Sequence, residues 1–539
     1  MYFPFKSCVS LEQNIPIVKR GNLVQAAGLL VAAVFLASTT FAADIYVSQS
    51  GNGTTNSLAW LNAASNWNGV IIAPGDTIHL VGKFTSQLRI AGSGGTAGNP
   101  ITILFEPGAK FSKPFWGSGA GCAIYRNSAS SYLTIDGGID GLIENTSNGM
   151  FNTYSNDTGG LWLQCASEVE VKNLTVSNLY YRVASKECSA SGAGITLSCN
   201  NATNVLLHNC KVDMVGNGIT LTYGGNNTNI QVYSNTITRI SFGIFINTGV
   251  VPLRTDAGNT YGMQIWGNRI DRFENWDPMQ GPCAGQYHNC GIKWEGAEDV
   301  VNNLHSNTNR AMRVHANHIG PSMPIGTAYI VATPNNFQYG FPDCMIYNNL
   351  LVEGTNSTSI SYAISPQTPG ALIANNTLIS LHGGGNAFNV QTNTVLLNNN
   401  IYNFAGFIFC FTNFVISDYN IWSSPTYNVD GFHPFMIVEG YPQLGQVYLS
   451  RNWSWWKNTF YPMDLHSKTN KPVLNLTTYA PLITDTVAVG KGTNLSAYFT
   501  TDFTGKPRPA TGPWTIGAYE VARSTNSLVP PFLQPVAPR

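Results

Sequence analysis

Short blocks along the middle of the chain repeat one order of apolar and polar positions. Each block has an apolar residue, two variable residues, a slot for Asn, one variable residue and a second apolar residue. Six consecutive blocks carry Asn in the slot, at Asn235, Asn268, Asn317, Asn349, Asn376 and Asn399. Weaker copies put Leu174 and Cys210 in the slot upstream and Tyr419 downstream. Such self-similarity indicates a stacked repeat architecture.

A second block, Gly followed by Ile, opens a short alternating strand before several of these slots. It occurs at Gly194, Gly218, Gly243 and Gly291. Short strands separated by Gly and Asn turns cannot bury a core alone, so the units must stack into a solenoid. In a parallel stack the same slot recurs above itself every ~4.8 Å. An inward Asn can then bind its neighbours' amides, which predicts an asparagine ladder.

The composition narrows the class of protein further. Only 10% of the residues are charged, aromatic residues reach 12% and Gly numbers 53. Low charge with many aromatic residues excludes a disordered chain, and the lack of heptads excludes a coiled coil. A formal net charge of 0 argues against nucleic-acid binding. The composition therefore favours a large, turn-rich, all-β protein.

Segments near both ends of the chain carry a family resemblance. They are 46–53, 74–80 and 95–103 at the start, and 501–509 and 516–520 towards the end. With the repeat between them, they resemble exported bacterial proteins of the pectate-lyase-like superfamily over about residues 44–523. The resemblance implies an all-β, right-handed parallel β-helix with an N-terminal cap and a C-terminal closing region. It leaves the activity open, because the superfamily includes lyases, hydrolases, epimerases and noncatalytic surface proteins.

The expected organisation has five parts: a leader at 1–43, an opening region and cap at 44–135, coils at 136–440, a closing region at 441–523 and a Pro-rich tail at 524–539. In the leader, Lys19 and Arg20 precede an apolar run from Ala26 to Ala37. This order is typical of a signal peptide, with cleavage near Ala42. We therefore expect a secreted or cell-surface monomer with a polysaccharide or cell-surface glycan as partner. We expect neither nucleic-acid binding nor a stable membrane span after cleavage.

Charge is concentrated in one part of the predicted coils. The stretch from Arg254 to Arg313 holds 13 charged residues, whereas 314–450 contains no Lys or Arg. The longest interval between repeat slots, 49 residues, falls in the same stretch. This spacing predicts inserted loops, which is where sites are usually built.

Alternation along the strands predicts an outward stripe. If the first apolar residue of each block points inward, the residue after it points outward. On adjacent coils these outward residues lie one above another. These residues are Tyr233, Trp266, His315 and Tyr347. Tyr233, Trp266 and Tyr347 are candidate sugar-stacking residues, with Arg310 as a further substrate-binding candidate. The alternative is that the stripe packs beneath an inserted loop.

The charged stretch contains groups suited to a polysaccharide lyase. Such an enzyme needs a base to remove the proton beside a uronate carboxylate and a cation to stabilise the resulting anion. Lys293 is the candidate base, and Arg313 with His315 are the candidate stabilisers. The order Lys293, then Arg313-Val314-His315, is similar to the alginate lyase and chondroitinase B family, with one residue inserted between Arg and His. The alternative is that solvated surface residues form ion pairs in loops here; they are Lys293, Glu295, Arg310 and Arg313.

An acidic group follows Lys293 in the sequence. Glu295, Glu298 and Asp299 supply the carboxylate oxygens that Ca²⁺ prefers. We therefore expect a possible calcium site there and no other cofactor.

Two functions are compatible with the sequence. The first is an exported polysaccharide lyase that cleaves an anionic, uronate-containing polysaccharide by β-elimination. The second is a noncatalytic cell-surface or extracellular protein that binds glycan through its aromatic face. The catalytic motifs of polygalacturonase-like hydrolases and mannuronan epimerases are absent from the sequence.

Tryptophan and cysteine residues give two further expectations. The cluster from Trp453 to Trp456 is either an apolar lid over the end of the core or a carbohydrate platform. Cys283 and Cys290 are the candidate disulfide pair. The cysteines within strand-like segments are expected to be small buried apolar residues; they are Cys199, Cys210, Cys344 and Cys410.

Overall fold

A computed structural model gives the structure of this chain. It describes residues 42–147, 158–179, 192–224, 226–247, 260–273, 290–296, 309–322, 326–334, 343–355, 360–366, 370–390, 393–410, 415–424, 436–439, 447–450, 453–459 and 462–521. The leader at 1–41 and the tail at 524–539 lie outside the described residues.

The described residues are almost entirely β. The helices in them are short: the α-helices Leu58–Leu61 and Trp453–Thr459, and the 3-10 helices Ala64–Asn66 and Gly119–Gly121. None of the helices described here is long and apolar enough to cross a membrane.

The strands fall into four groups along the chain. The first group is Asp44–Ser48, Asn56–Ser57, Thr77–Leu80, Lys83–Phe84, Leu88–Arg89, Ile101–Phe105, Lys110–Lys113, Ile124–Asp136 and Leu142–Asn145. The second is Gly159–Lys172, Thr175–Leu179, Ala193–His208, Lys211–Gly224, Asn227–Tyr233 and Thr236–Asn247. The third is Thr260–Tyr261, Gln264–Trp266, Arg269–Phe273, Cys290–Gly296, Asn309–Arg310, Arg313–His315, His318–Ile319, Gly326–Pro334, Met345–Tyr347, Leu350–Glu353, Ile360–Pro366, Leu372–Ala374, Thr377–Ser380, Asn386–Val390, Thr394–Leu397, Asn400–Tyr402, Gly406–Cys410, Val415–Asp418 and Ile421–Ser423. The fourth is Met436–Glu439 and Val447–Ser450, which pair antiparallel.

Parallel pairing groups the strands into three faces. Each coil contributes a strand to each face in the same order. Face A contains 44–48, 77–80, 101–105, 131–136, 167–172, 203–208, 228–233, 264–266, 313–315, 345–347, 372–374, 394–397 and 415–418. Face B contains 83–84, 110–113, 142–145, 175–179, 211–215, 236–240, 269–273, 318–319, 350–353, 377–380, 400–402 and 421–423. Face C contains 88–89, 124–126, 159–165, 193–200, 217–224, 242–247, 290–296, 326–334, 360–366, 386–390, 406–410 and 436–439. The predicted parallel β-helix is confirmed.

The core lies between the three faces, because every second side chain points inward. On face A, Val232 pairs with Ile265, and Ile265 with Val314. All three side chains are fully buried. The period of two in the sequence is therefore the direct cause of a continuous apolar column.

The asparagine ladder forms at the corner between faces A and B. The Nδ2 atom of each ladder Asn donates to Oδ1 of the next one at 3.0–3.1 Å, from Asn235 to Asn420. Each Oδ1 from Asn268 to Asn420 also accepts the backbone N–H of the preceding ladder Asn. The prediction of a ladder through the six repeat slots is confirmed. These side chains satisfy backbone groups that a sharp corner would otherwise leave unpaired in the core.

The downstream end of the ladder corrects the sequence interpretation by one residue. Leu397 pairs with Asp418, which places Asn420 above Asn399. Tyr419, predicted for this slot, instead adopts a positive φ of 57° at the turn. The slot was misplaced because the apolar pattern of this last copy is weak.

The Gly-Ile blocks lie where each coil enters face C. A Cβ atom on Gly194 would approach the carbonyl oxygen of Gly218 too closely, and one on Gly218 that of Gly243. A stack of glycines therefore allows the coils to approach closely at this corner.

The closing region begins with a helix that packs on the core. Trp456, in the helix Trp453–Thr459, is 1% exposed and donates from Nε1 to Asp464 at 2.8 Å. Trp422 of face B donates to the same carboxylate at 3.0 Å. Trp456 therefore lies in the core, as the lid interpretation expects.

The segment 493–520 then returns across the corner between faces A and B. Asn348, Asn375 and Asn398 hold it by hydrogen bonds to backbone atoms of Thr501, Thr515, Gly517 and Thr493. These Asn residues precede ladder residues and adopt positive φ angles of 51–55°. Each Asn-Asn pair therefore has one side chain in the ladder and one that docks this segment.

The cysteine predictions are partly confirmed. Cys199, Cys210 and Cys344 are buried. Cys283 and the side chain of Cys410 lie outside the described residues, so the Cys283–Cys290 pair stays a prediction.

Candidate functional site

The outward residues of face A form two parallel columns. One column contains His208, Tyr233, Trp266, His315 and Tyr347, each paired in register with the next. The other, two residues earlier on each strand, contains Leu206, Gln231, Gln264, Arg313 and Met345. The predicted register of the stripe is confirmed.

The rings of the first column stack on one another. Tyr233 lies between His208 and Trp266, with ring centroids 4.5 Å away on both sides and planes within 6° of parallel. His315 and Tyr347 continue the stack at 4.6 Å. Both faces of the Tyr233 ring are therefore covered, and the column presents mainly ring edges outward.

The stack is less close between Trp266 and His315. Their centroids are 6.0 Å apart although the planes differ by only 3°. Parallel rings at this separation overlap less than those at 4.5 Å, so His315 covers the half-buried Trp266 ring less closely than Tyr233 does. The sugar-stacking roles of Tyr233, Trp266 and Tyr347 stay predictions.

The downstream end of the column is covered. Phe499 stacks on Tyr347 with centroids 4.4 Å apart, and Trp514 packs against Phe499 at 5.3 Å. Tyr347 is 9% exposed, and burial raises its pKa to about 12. Residues of the closing region therefore cover this end of the column.

A charged group of four residues, the A cluster, lies at the upstream end of the column. It consists of Asp136, Glu170, Lys172 and His208. Glu170 accepts hydrogen bonds from Lys172 at 2.8 Å and from His208 Nε2 at 3.0 Å. The Nζ atom of Lys172 also lies 4.0 Å from Asp136 Oδ2. The cluster directly adjoins the aromatic column because His208 belongs to both.

Electrostatic effects fix the charge of two groups on face A. Burial alone would raise the pKa of Glu170, but hydrogen bonds from Lys172 and His208 hold that pKa below its ordinary value. Burial, assisted by Arg313, lowers the pKa of His315 to about 4. Glu170 is therefore ionised and His315 neutral at neutral pH, so His315 does not supply a positive charge to a bound anion.

Lys293 and Arg313, the residues assigned to β-elimination, lie on different faces. Lys293 is on face C, where Nζ lies 5.8 Å from the ring centroids of both Phe242 and Phe245. Arg313 is on face A and donates to the carbonyl oxygens of Met312 and Asp343. The structure therefore does not place these two side chains on one surface.

The remaining candidates are described only in part. The backbones of Glu295 and Arg310 lie in the strands Cys290–Gly296 and Asn309–Arg310. Glu298, Asp299 and most of the inserted segments between 248 and 308 lie outside the described residues. Within the ranges that are described, no group of three His, Cys, Asp or Glu residues is arranged to hold a metal ion. The calcium site stays a prediction.

The sequence interpretation missed the A cluster, although its register was available. Lys172 and His208 stand two residues before Leu174 and Cys210, the weaker copies of the slot. Tyr233 and Trp266 stand two residues before Asn235 and Asn268 in the same way. The same outward register extends upstream to both residues, but the weaker copies of the block have no Asn to mark the slot.

Comparisons with known proteins found solved structures that share 10–13% identity with this chain. Neither a protein-family model nor a curated protein sequence matches it. XylC, solved with xylose, is 10% identical with a TM-score of 0.42, covering 89% of this chain and 99% of that chain. PfbA, a surface adhesin of Streptococcus pneumoniae, is 10% identical with a TM-score of 0.46, covering 71% and 86%. Pectate lyase Pel9A is 12% identical with a TM-score of 0.38, covering 90% and 98%.

Proposed function

We propose that this protein is a carbohydrate-active β-helix protein that binds a polysaccharide along face A. The observation that carries the proposal is the column of outward rings, which repeats once per coil, beside the polar side chains of Gln231, Gln264 and Arg313 on three successive coils. A repeating polymer can make the same contacts on successive coils of such a surface. Sugars present both apolar C–H groups and hydroxyls, which suit an aromatic surface next to amides.

Among the described residues, the part of face A that the closing region leaves uncovered extends from the A cluster to Trp266. Gln231 and Gln264 supply amide donors and acceptors there, and both are half-buried. Arg313 adds a cation at the downstream end. Because Phe499 covers Tyr347, the ligand would contact the column upstream of Tyr347.

Binding fits the described groups better than catalysis does. Glu170 is ionised and accepts hydrogen bonds from three donors, on Thr134, Lys172 and His208. Asp136 accepts hydrogen bonds from Gly138 N at 2.8 Å and Asn173 Nδ2 at 2.9 Å. A carboxyl held protonated beside a carboxylate, the usual arrangement for glycoside hydrolysis, is not seen on the described part of face A.

β-Elimination on a uronate-containing polysaccharide is the finer hypothesis raised by the sequence. It assigns the base to Lys293 and the anion stabiliser to Arg313. Because these residues lie on different faces, we propose glycan binding as the function. β-Elimination is tested separately.

Affinity electrophoresis in gels containing a neutral, an amine-bearing or a uronate polysaccharide tests the proposal. We expect at least one polymer to retard the protein and Trp266→Ala to weaken that binding about tenfold, which corresponds to about 1.4 kcal/mol. Trp162→Ala is the matched control, because Trp162 is a half-buried outward residue on face C that stacks on Tyr125 at 5.3 Å. Equal effects of the two variants, or no retardation by any polymer, would contradict the proposal.

A further inference from the structure

Asp76 is a buried acidic residue in the turn before the face A strand Thr77–Leu80. It is 3% exposed. Its Oδ2 atom accepts the backbone N–H of Ala73 at 2.7 Å, and its Oδ1 atom accepts that of Ala43 at 2.8 Å. In the part of the chain that the structure describes, no Lys, Arg or His side chain forms an ion pair with Asp76. Because a buried carboxylate loses its hydration, a cation beside Asp76 would be stabilised.

The backbone N atom of Ala43 is held against this carboxylate by strand pairing. Ala43 directly precedes the strand Asp44–Ser48. Its carbonyl oxygen accepts the backbone N–H of Thr77 at 2.9 Å, and Asp44 pairs with Thr77 in register. The first two strands of face A therefore fix the position of this N atom.

The sequence immediately before Ala43 has the form of a leader cleavage site. Thr40 and Ala42 are small residues separated by Phe41, and they follow the apolar run at 26–37. This order is typical of signal-peptidase sites. Hydrolysis of the peptide bond between Ala42 and Ala43 consumes one water, leaves a carboxylate on Ala42 and creates an α-ammonium on Ala43. An α-amino group is mostly charged at neutral pH, since its ordinary pKa is about 7.7–8.0.

We propose that a signal peptidase hydrolyses the Ala42–Ala43 bond and that the new α-ammonium of Ala43 binds the buried carboxylate of Asp76. The ammonium supplies the cation that Asp76 lacks, at a position where a hydrogen bond is already formed. A charge-assisted hydrogen bond is stronger than one from a neutral amide, so removal of the leader stabilises the N-terminal cap. A cut one residue further on would delete this donor. The proposal is independent of glycan binding.

Mass spectrometry tests the position of the cut. The sample is the protein that a bacterial host exports after synthesis of the full chain. We expect Ala43 as the N-terminal residue. A protein that keeps the leader, or that begins at another residue, overturns the proposal.

Hydrogen exchange at pH 7 tests the effect of the new charge on the strand Asp44–Ser48. Three chains are compared: one that begins at Ala43, the same chain with its α-amino group acetylated, and one that keeps Ala42. The last two retain an N–H on Ala43 but have no ammonium there. We expect each of them to raise the opening equilibrium constant of this strand about tenfold, with no change in the strand Leu372–Ala374. Equal constants in all three chains overturn the proposal.

Asp76→Asn should make the three chains exchange equally, because it removes the negative charge and nearly preserves the shape of the side chain. Asp485→Asn is the matched control. Asp485 is 4% exposed and accepts backbone N–H groups of Val473, Val487 and Ala488, so this variant should keep the tenfold difference. A difference that persists in Asp76→Asn overturns the proposal. The acetylated chain has the natural sequence, so the test still decides if Asp76→Asn does not fold.

Discussion

Tyr347 of face A stacks on Phe499 of the closing region, with ring centroids 4.4 Å apart and planes 19° from parallel. The contact joins the last ring of the outward column to a segment far along the chain. It therefore couples the extent of the uncovered part of the aromatic column to the packing of the closing region.

Phe499→Ala should uncover Tyr347 and loosen the closing region. Removing a buried Phe typically costs about 3 kcal/mol, and Phe499 is 7% exposed. Urea unfolding should show this loss, and hydrogen exchange should rise in residues 493–520. Tyr498→Ala, at a residue that is 59% exposed, should change stability by less than about 0.5 kcal/mol. Similar losses in both variants would show that the stack does not hold the segment.

The ladder should be sensitive to a single deletion. Asn317 donates to Ile265 O and to Asn349 Oδ1, and it accepts from Asn268. Asn317→Ala leaves several buried polar atoms without partners, each costing about 1–3 kcal/mol, so we expect a loss of at least 3 kcal/mol in the free energy of unfolding.

Asn200→Ala is the control for the ladder, because Asn200 is exposed on face C. We expect a change below about 0.5 kcal/mol there. A loss below 1 kcal/mol in Asn317→Ala would mean that water replaces the ladder bonds.

His315 should make stability depend on pH. Its pKa falls from the ordinary 6.5 to about 4 in the folded protein, so the unfolded chain binds a proton first as pH falls. The stabilisation is complete above pH 6.5 and is lost progressively towards pH 4, by up to about 3 kcal/mol. His315→Phe keeps a ring in the stack without a titrating group. The difference in unfolding free energy between pH 7 and pH 5 should shrink in this variant; an unchanged difference would place the pH dependence elsewhere.

Lys293→Ala should leave glycan binding on face A unchanged, because Lys293 lies on face C. Ultraviolet absorbance from unsaturated uronate ends, with and without calcium, tests elimination directly on alginate, pectate and glycosaminoglycans. If the absorbance rises with the unmutated protein but not with Lys293→Ala, the protein is a lyase that uses Lys293, although Lys293 and Arg313 lie on different faces.

The sequence determined the repeating parts of this structure well. Six Asn slots and the alternation around them predicted the ladder and the outward register of Tyr233 and Trp266, because both follow from strand periodicity alone. It did not show that Lys293 and Arg313 occupy different faces, since that depends on where the chain turns between strands. Nor did it explain Asn348 and Asn375, whose partners lie in the closing region. Contacts between segments that are far apart in the sequence produce no local periodic pattern, so the sequence does not predict them.

Hydrogen exchange with and without a bound polysaccharide tests the central claim most directly. Strands of face A and face B alternate along the chain, so one experiment compares the two faces within each coil. We predict slower exchange in 228–233 and 264–266 of face A on binding, with no change in 236–240 and 269–273 of face B. Protection confined to face B or face C would contradict the assignment of face A as the glycan-binding surface.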